Sequence, residues 1–185
     1  MYKMSVVNFK HSYIFFHEPH CGGRSITQAL TQQEGSFDFN GDHHISPSNM
    51  IHGKYVTREQ FDGFTKFRFI RNPYDYLVTA WIVYNKKRMP FNKWVFGPGT
   101  SHMLNGTLFW RYNEVADFNL RFENLVHDLN SLLSAIGAPR VDLPVIGKIE
   151  NKPRWQVLLT DTEILGLEDI YPDICRFGYN LERAV

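Results

Sequence analysis

Cysteine is scarce: Cys21 and Cys175 are the only two, enough for one bridge and too few for the framework of a disulfide-stapled scaffold. Charge of one sign is also lacking. Twenty Lys and Arg stand against 19 Asp and Glu, and a net charge of +1 gives no footprint of nucleic-acid binding. No apolar run reaches the roughly 20 residues that span a bilayer, and the opening M-Y-K-M-S-V-V-N-F-K-H-S has no signal-type hydrophobic core. The expectation is a cytoplasmic protein with neither nucleic-acid nor membrane partners. Internal repeats and low-complexity tracts are missing too. So is the Walker pattern G-x-x-x-x-G-K-[ST], which argues against an ATPase or GTPase. What the 185 residues do contain is apolar material, 43% of the chain with 15% aromatic. That suffices for one core, and a single domain over residues 1–185 is expected.

Residues 13–30, Y-I-F-F-H-E-P-H-C-G-G-R-S-I-T-Q-A-L, organise the chain. Tyr13, Ile14, Phe15 and Phe16 suit a buried strand. Pro19 ends it, and Gly22-Gly23 lets the backbone turn without a Cβ penalty. Ser25 is the expected N-cap of a helix along which Ile26, Ala29 and Leu30 recur at helical spacing. A strand, a glycine turn and a helix N-terminus bring bare N–H groups and the positive dipole end to one point. Such a point binds anions, phosphate above all.

Further along, residues 34–42 read as a loop. Ser46-Pro47 opens a short helix, and Thr57 with Gln60 forms a capping box for another. Residues 66–71 alternate as a strand ending at Asn72-Pro73. A helix follows over 74–87, with Leu77, Val78, Trp81, Ile82 and Tyr84 as its buried stripe. Residues 89–113 mix glycine, proline and aromatics, as a lid, a substrate wall or a satellite hydrophobic cluster would. A third strand is expected over 115–122. A helix over 124–136 is ended by Gly137. Thr160 or Thr162 caps a last helix that runs through Ile170. Alternating strands and helices predict an α/β fold on a parallel sheet, with ligands at the carboxyl ends of its strands.

The segment H-E-P-H-C-G-G-R-S-I resembles the H-x-P-K-x-G-G-T-S-[IL] segment of sulfotransferases that use 3′-phosphoadenosine 5′-phosphosulfate (PAPS), in their carbohydrate branch. In that family the segment cradles the 5′-phosphosulfate. The resemblance therefore implies cofactor-binding roles for His20, Cys21, Gly22, Gly23, Arg24, Ser25 and Ile26. His20 stands where the family has lysine, and Arg24 where it has threonine. A second stretch, F-R-F-I-R-N-P-Y-D-Y-L-V-T-A-W, is similar to the family's F-x-F-V-R-N-P-[YW]-D-R-L-V-S-A-Y. It implies that Arg71 and Thr79 bind the 3′-phosphate. The plainer alternative is that Arg71 pairs with Asp75 while Thr79 faces solvent.

The stretches N-L-R-F-E-N-L-V-H-D-L and I-Y-P-D-I-C-R-F-G-Y resemble later family segments. E-N-K-P-R-W resembles a family loop, N-x-S-x-R, that approaches the nucleotide, with Pro153 at the serine and Arg154 one position early. D-H-H-I-S-P-S-N-M resembles the family's H-x-[ST]-x segment and places His44 at its histidine, with His43 one residue off. Together these matches cover most of the chain, in order. They imply a P-loop NTPase-like three-layer sandwich with a central parallel sheet flanked by helices. They also imply transfer of a sulfuryl group from PAPS to a hydroxyl of a carbohydrate or small metabolite, with PAP as product. His44 would be the general base. His20, charged only when protonated, would take the catalytic place of the lysine.

Three other readings compete. A module that holds PAPS or PAP without turnover would account for the missing lysine. A P-loop small-molecule kinase is disfavoured by the lack of a Walker lysine and of a convincing magnesium aspartate. His17, His20, Cys21, His43 and His44 carry metal-donor atoms, but no recognised zinc spacing links them.

Overall fold

The computed structural model describes residues 5–39, 45–85, 88–97, 100, 115–171, 174 and 179. Its strands are β1 (Val6–Asn8), β2 (Tyr13–Phe16), β3 (Ser36–Asp38), β4 (Thr65–Ile70) and β5 (Phe118–Arg121). Its helices are α1 (Gly23–Leu30), α2 (Pro47–His52), α3 (Arg58–Gly63), α4 (Pro73–Ala80), α5 (Phe91–Val95), α6 (Leu125–Ala135) and α7 (Asp161–Ile170). Contacts gather the chain into two units, Met1–Ile70 with Arg111–Lys148, and Arg71–Trp110 with Ile149–Val185.

The first unit is built on a five-stranded mixed sheet of order β3-β1-β2-β4-β5, flanked by helices. β2, β4 and β5 run parallel, as the sequence leads one to expect. β1 pairs antiparallel with both β2 and β3, so the sheet is not the wholly parallel one expected. The reason is chain length. Only residues 9–12 join β1 to β2, which is enough for a hairpin and far too short for a crossover helix. β1 falls in an opening with no long apolar run, and β3 falls in the stretch read as a loop. Three-residue strands carry too little alternation to be recognised. Asn8, fully buried, ties these pieces together: its Nδ2 donates to Ser36 Oγ at 2.8 Å, and its Oδ1 accepts from the His11 N–H at 2.7 Å.

Both faces of β2 are covered. Ile14 and Phe16 join Val7 in a core with Phe39, Ile45, Met50, Val56 and Phe61, which brings α2 and α3 against the sheet. Tyr13 and Phe15 point the other way, and both pack on the Phe67 ring at 5.7 and 5.5 Å between centroids. Ser46 caps α2, and Thr57 with Gln60 forms the expected capping box of α3. Gly137, with φ +72, follows the end of α6 in a conformation that suits glycine.

The second unit has its own core. Tyr74, Leu77, Val78 and Trp81 from α4 and its continuation meet Phe91 and Val95 of α5, then Trp155, Leu159, Ile164 and Leu167. The Tyr74 ring stacks on Trp155 at 4.7 Å, and its hydroxyl donates to Glu168 Oε1 at 2.7 Å. Thr160, not Thr162, caps α7, reciprocally with Glu163. The expected helix over 74–87 is interrupted: α4 ends at Ala80, and Trp81–Asn85 forms a π-helical turn. That wider turn shifts the phase of the buried stripe. Leu77, Val78 and Trp81 stay inside, but Tyr84 is 57% exposed. Within 89–113, Phe91 and Val95 are buried members of this core; 98–99 and 101–114 lie outside the described residues.

Candidate functional site

The first candidate element is the turn between β2 and α1. β2 ends at Phe16, and the next two residues, His17 and Glu18, are buried. The His17 N–H donates to Ser5 Oγ at 3.2 Å, and its ring lies where a Cβ on Gly23 would be. Glu18 Oε1 accepts from Arg68 Nη1 at 2.8 Å, and Arg68 Nε donates to Asn119 Oδ1 at 2.6 Å. One guanidinium thus joins the start of the turn to β4 and β5. His20 then takes φ +57, in the left-handed region, and Gly22 follows at φ +76. Gly22 is the N-cap of α1, and its carbonyl accepts from the Ile26 N–H at 3.2 Å. The first turn of α1 contains no acidic side chain, so nothing there offsets the positive end of the helix dipole.

Ser25 is not the cap. It lies inside α1, and its Oγ accepts from the Ile146 N–H at 3.2 Å. The cap is Gly22 because the chain turns through a left-handed residue there, which glycine adopts without strain. Arg24 is exposed, and its guanidinium reaches Gly147, where an added Cβ would overlap Nη2. Ser25 thus holds the 146–147 segment, and the Arg24 guanidinium lies beside it. Cys21 and Ile26 have buried side chains, and the Ile26 N–H is taken by the Gly22 carbonyl. Of the residues assigned to the phosphosulfate, His20 and Gly22 form the turn itself and Gly23 opens α1.

The second candidate element lies in the other unit, at the start of α4. Asn72 caps that helix, its Oδ1 accepting from the N–H groups of Tyr74 and Asp75 at 3.1 and 3.2 Å. Pro73, at the first helical position, has no N–H to satisfy. Arg71 donates to Asp75 Oδ2 through Nη2 at 2.6 Å and Nε at 2.9 Å. Lys152 Nζ donates to the other carboxylate oxygen, Oδ1. The Arg71–Asp75 pair of the plainer alternative therefore exists. Thr79, however, is buried, and its hydroxyl donates to the Asp75 carbonyl at 3.0 Å, so it does not face solvent.

No local pattern marks Lys152, although it sits in the same N-K-P-R stretch as Arg154. Arg154 is exposed and precedes the 3₁₀ turn Trp155–Val157. Two cations thus share one carboxylate in a cluster that is mostly buried. Burial pushes the Asp75 carboxyl up, but the Arg71 charge and the Lys152 bond outweigh it and hold the group below its ordinary value of 3.8. A carboxylate depressed in the folded state contributes stability that is present above the unfolded pKa and lost as pH falls through the folded one. Wild type should therefore exceed Asp75→Asn in urea midpoint at pH 6–7. The gap should narrow as pH drops below about 3.9, the unfolded aspartate value. A gap that stays constant down to pH 2 would refute the electrostatic account.

His43 and His44 lie outside the described residues. Among the described residues no three His, Cys, Asp or Glu side chains are grouped to hold a metal ion, and no helix is long and apolar enough to cross a membrane. Comparison with protein-family models, curated proteins and solved structures finds no match to this chain.

Proposed function

We propose that the protein is a PAPS-dependent sulfotransferase acting on a hydroxyl of a carbohydrate or small metabolite. The observation that carries the reading is the turn between β2 and α1. The H-E-P-H-C-G-G-R-S-I motif falls at the point where a buried strand passes through left-handed His20 and Gly22 into a helix with no acid in its first turn. Such a turn suits the 5′-phosphosulfate. The finer fold assignment, a P-loop NTPase-like sandwich, belongs to the same proposal. It is supported by the parallel run β2-β4-β5 and by the two phosphate motifs, the first of which directly follows β2 while the second spans the end of β4.

In the proposed reaction the acceptor oxygen attacks sulfur in line. The new O–S bond forms as the bond from sulfur to the phosphate oxygen breaks, and PAP leaves. His44 takes the acceptor's proton. His20, in its imidazolium form, stabilises the charge that develops on the leaving oxygen. Arg71 and Thr79 take the 3′-phosphate, with Lys152 as a second cation in place of Arg154. Asp75 holds Arg71 by a pair of bonds, a geometry that keeps the guanidinium fork in one orientation.

Arg71→Ala should weaken PAP binding by roughly 10–150-fold, the value of a charge-assisted contact worth about 1.5–3 kcal/mol. AMP, which lacks the 3′-phosphate, should lose almost nothing. Calorimetry with both nucleotides checks this, and equal wild-type affinity for PAP and AMP would refute the 3′-phosphate assignment. One observation favours a second reading, a PAPS- or PAP-binding module without turnover: His20 occupies the family's lysine position. An acceptor screen with labelled PAPS separates the two. PAP binding with no transfer to any hydroxyl acceptor supports the module.

A further inference from the structure

The pair Glu18–Arg68 is not explained by stability. Arg68 is wholly buried and Glu18 is 5% exposed, at 2.8 Å from each other. Taking two such charges out of water costs so much that well-packed apolar replacements are commonly neutral or stabilising. Its position is more informative. In the sheet register Arg68 lies opposite Phe16 of β2 and Asn119 of β5. Its guanidinium reaches past the end of β2 to Glu18, two residues before His20, while its Nε binds Asn119 at 2.6 Å. His20 holds a left-handed φ of +57, and a residue with a side chain keeps that conformation only where its surroundings impose it. The exit of the turn is fixed by the Ile26 N–H bonded to the Gly22 carbonyl. Its entry is fixed by Glu18.

We infer that Glu18 and Arg68, with Asn119 orienting the guanidinium, are positioning residues that hold the turn before α1 in its left-handed geometry. Arg68 is too deeply buried to touch a ligand, so it acts through Glu18. The role of the pair in ligand binding rests on the proposed sulfotransferase reading, whereas its role in holding the turn does not.

The test is the double variant Glu18→Met/Arg68→Met, compared with wild type by urea unfolding, amide relaxation and calorimetry with PAP. The expected result is an unfolding midpoint no lower than wild type. Order parameters of the amides at 20–23 should fall from about 0.85 to below about 0.6, with those of Ile14, Phe16, Phe67 and Phe69 unchanged. Turn amides as ordered as in wild type, or a loss of order spread equally through β2 and β4, would overturn the inference. If the double variant does not fold, Asn119→Ala decides. Asn119 is exposed, so the substitution tolerates folding. A selective loss of order at 20–23 supports the positioning role, and none overturns it. The PAP measurement judges the other question. A loosened turn with PAP affinity at least tenfold weaker supports both readings. A loosened turn with unchanged PAP affinity keeps the positioning role and removes the phosphosulfate from this turn.

Discussion

Alanine at position 44 is expected to lower sulfuryl transfer by roughly 10²–10⁴-fold, the usual contribution of a positioned general base. PAP affinity should stay near that of wild type, because a base for the acceptor hydroxyl makes no contact on which the donor depends. His43→Ala should have a much smaller effect. The assignment turns on a register of one residue, and the chain just beyond provides a fixed reference. Ile45 is buried in the core beneath the sheet, and Ser46 accepts the Asn49 N–H at 3.1 Å as the cap of α2. Single-turnover measurements with labelled PAPS and calorimetry with PAP check both variants. If His43→Ala is the severe one, the base lies one residue earlier. If neither changes the chemical step, no histidine of this pair is the base.

Gly23→Ala should lower the thermal midpoint, because the new methyl would fall inside the His17 ring, over Cδ2 and Nε2. His17 is 5% exposed and its N–H is bonded to Ser5, so the ring has little room to withdraw. Overpacking of this kind costs about 1–3 kcal/mol, against which alanine's better helix propensity returns no more than about 1 kcal/mol. At roughly 2–4 °C per kcal/mol for a chain of this size, the net fall is a few degrees. PAP affinity should fall with it, since the methyl displaces the turn itself. Gly63→Ala is the control: nothing lies within 4 Å of a Cβ there. A Gly23→Ala midpoint equal to that of Gly63→Ala would show that the ring moves aside at no cost.

Features written within one helical turn were legible in the sequence. The caps at Ser46, Thr57 and Thr160 and the stop at Gly137 depend on residues three or four apart, and all four were found where expected. The link between Arg71 and Asp75 is also an i+4 relation and could be anticipated. Lys152 meets the same carboxylate from 77 positions away, and Arg68 meets Glu18 across 50. No local pattern announces either contact. Ser25 failed as a cap for a related reason. Its hydroxyl had a suitable sequence context, but a left-handed Gly22 began the helix earlier, and the serine was taken up by Ile146 from 121 residues on. The direction of β1 was hidden by the brevity of the strand. The sequence motifs therefore located the turn and Arg71, and long-range contacts decided which side chains surround them.

The division of the second unit between residues 71–110 and 149–185 also has a consequence in time. Its core joins Tyr74, Leu77, Trp81 and Phe91 from the first segment to Trp155, Leu159, Ile164 and Leu167 from the second. A ribosome delivers the first set, then must make residues 111–148 before the second appears. At about 5–20 residues per second that interval lasts roughly 2–8 s. Throughout it a nascent amphipathic helix displays an aromatic stripe whose partners have yet to be translated, while β5 emerges and completes the sheet of the other unit. The order of the genetic message thus makes the sheet the earlier structure, and leaves the segment that carries Arg71 and Thr79 without its core partners until the last helix is made.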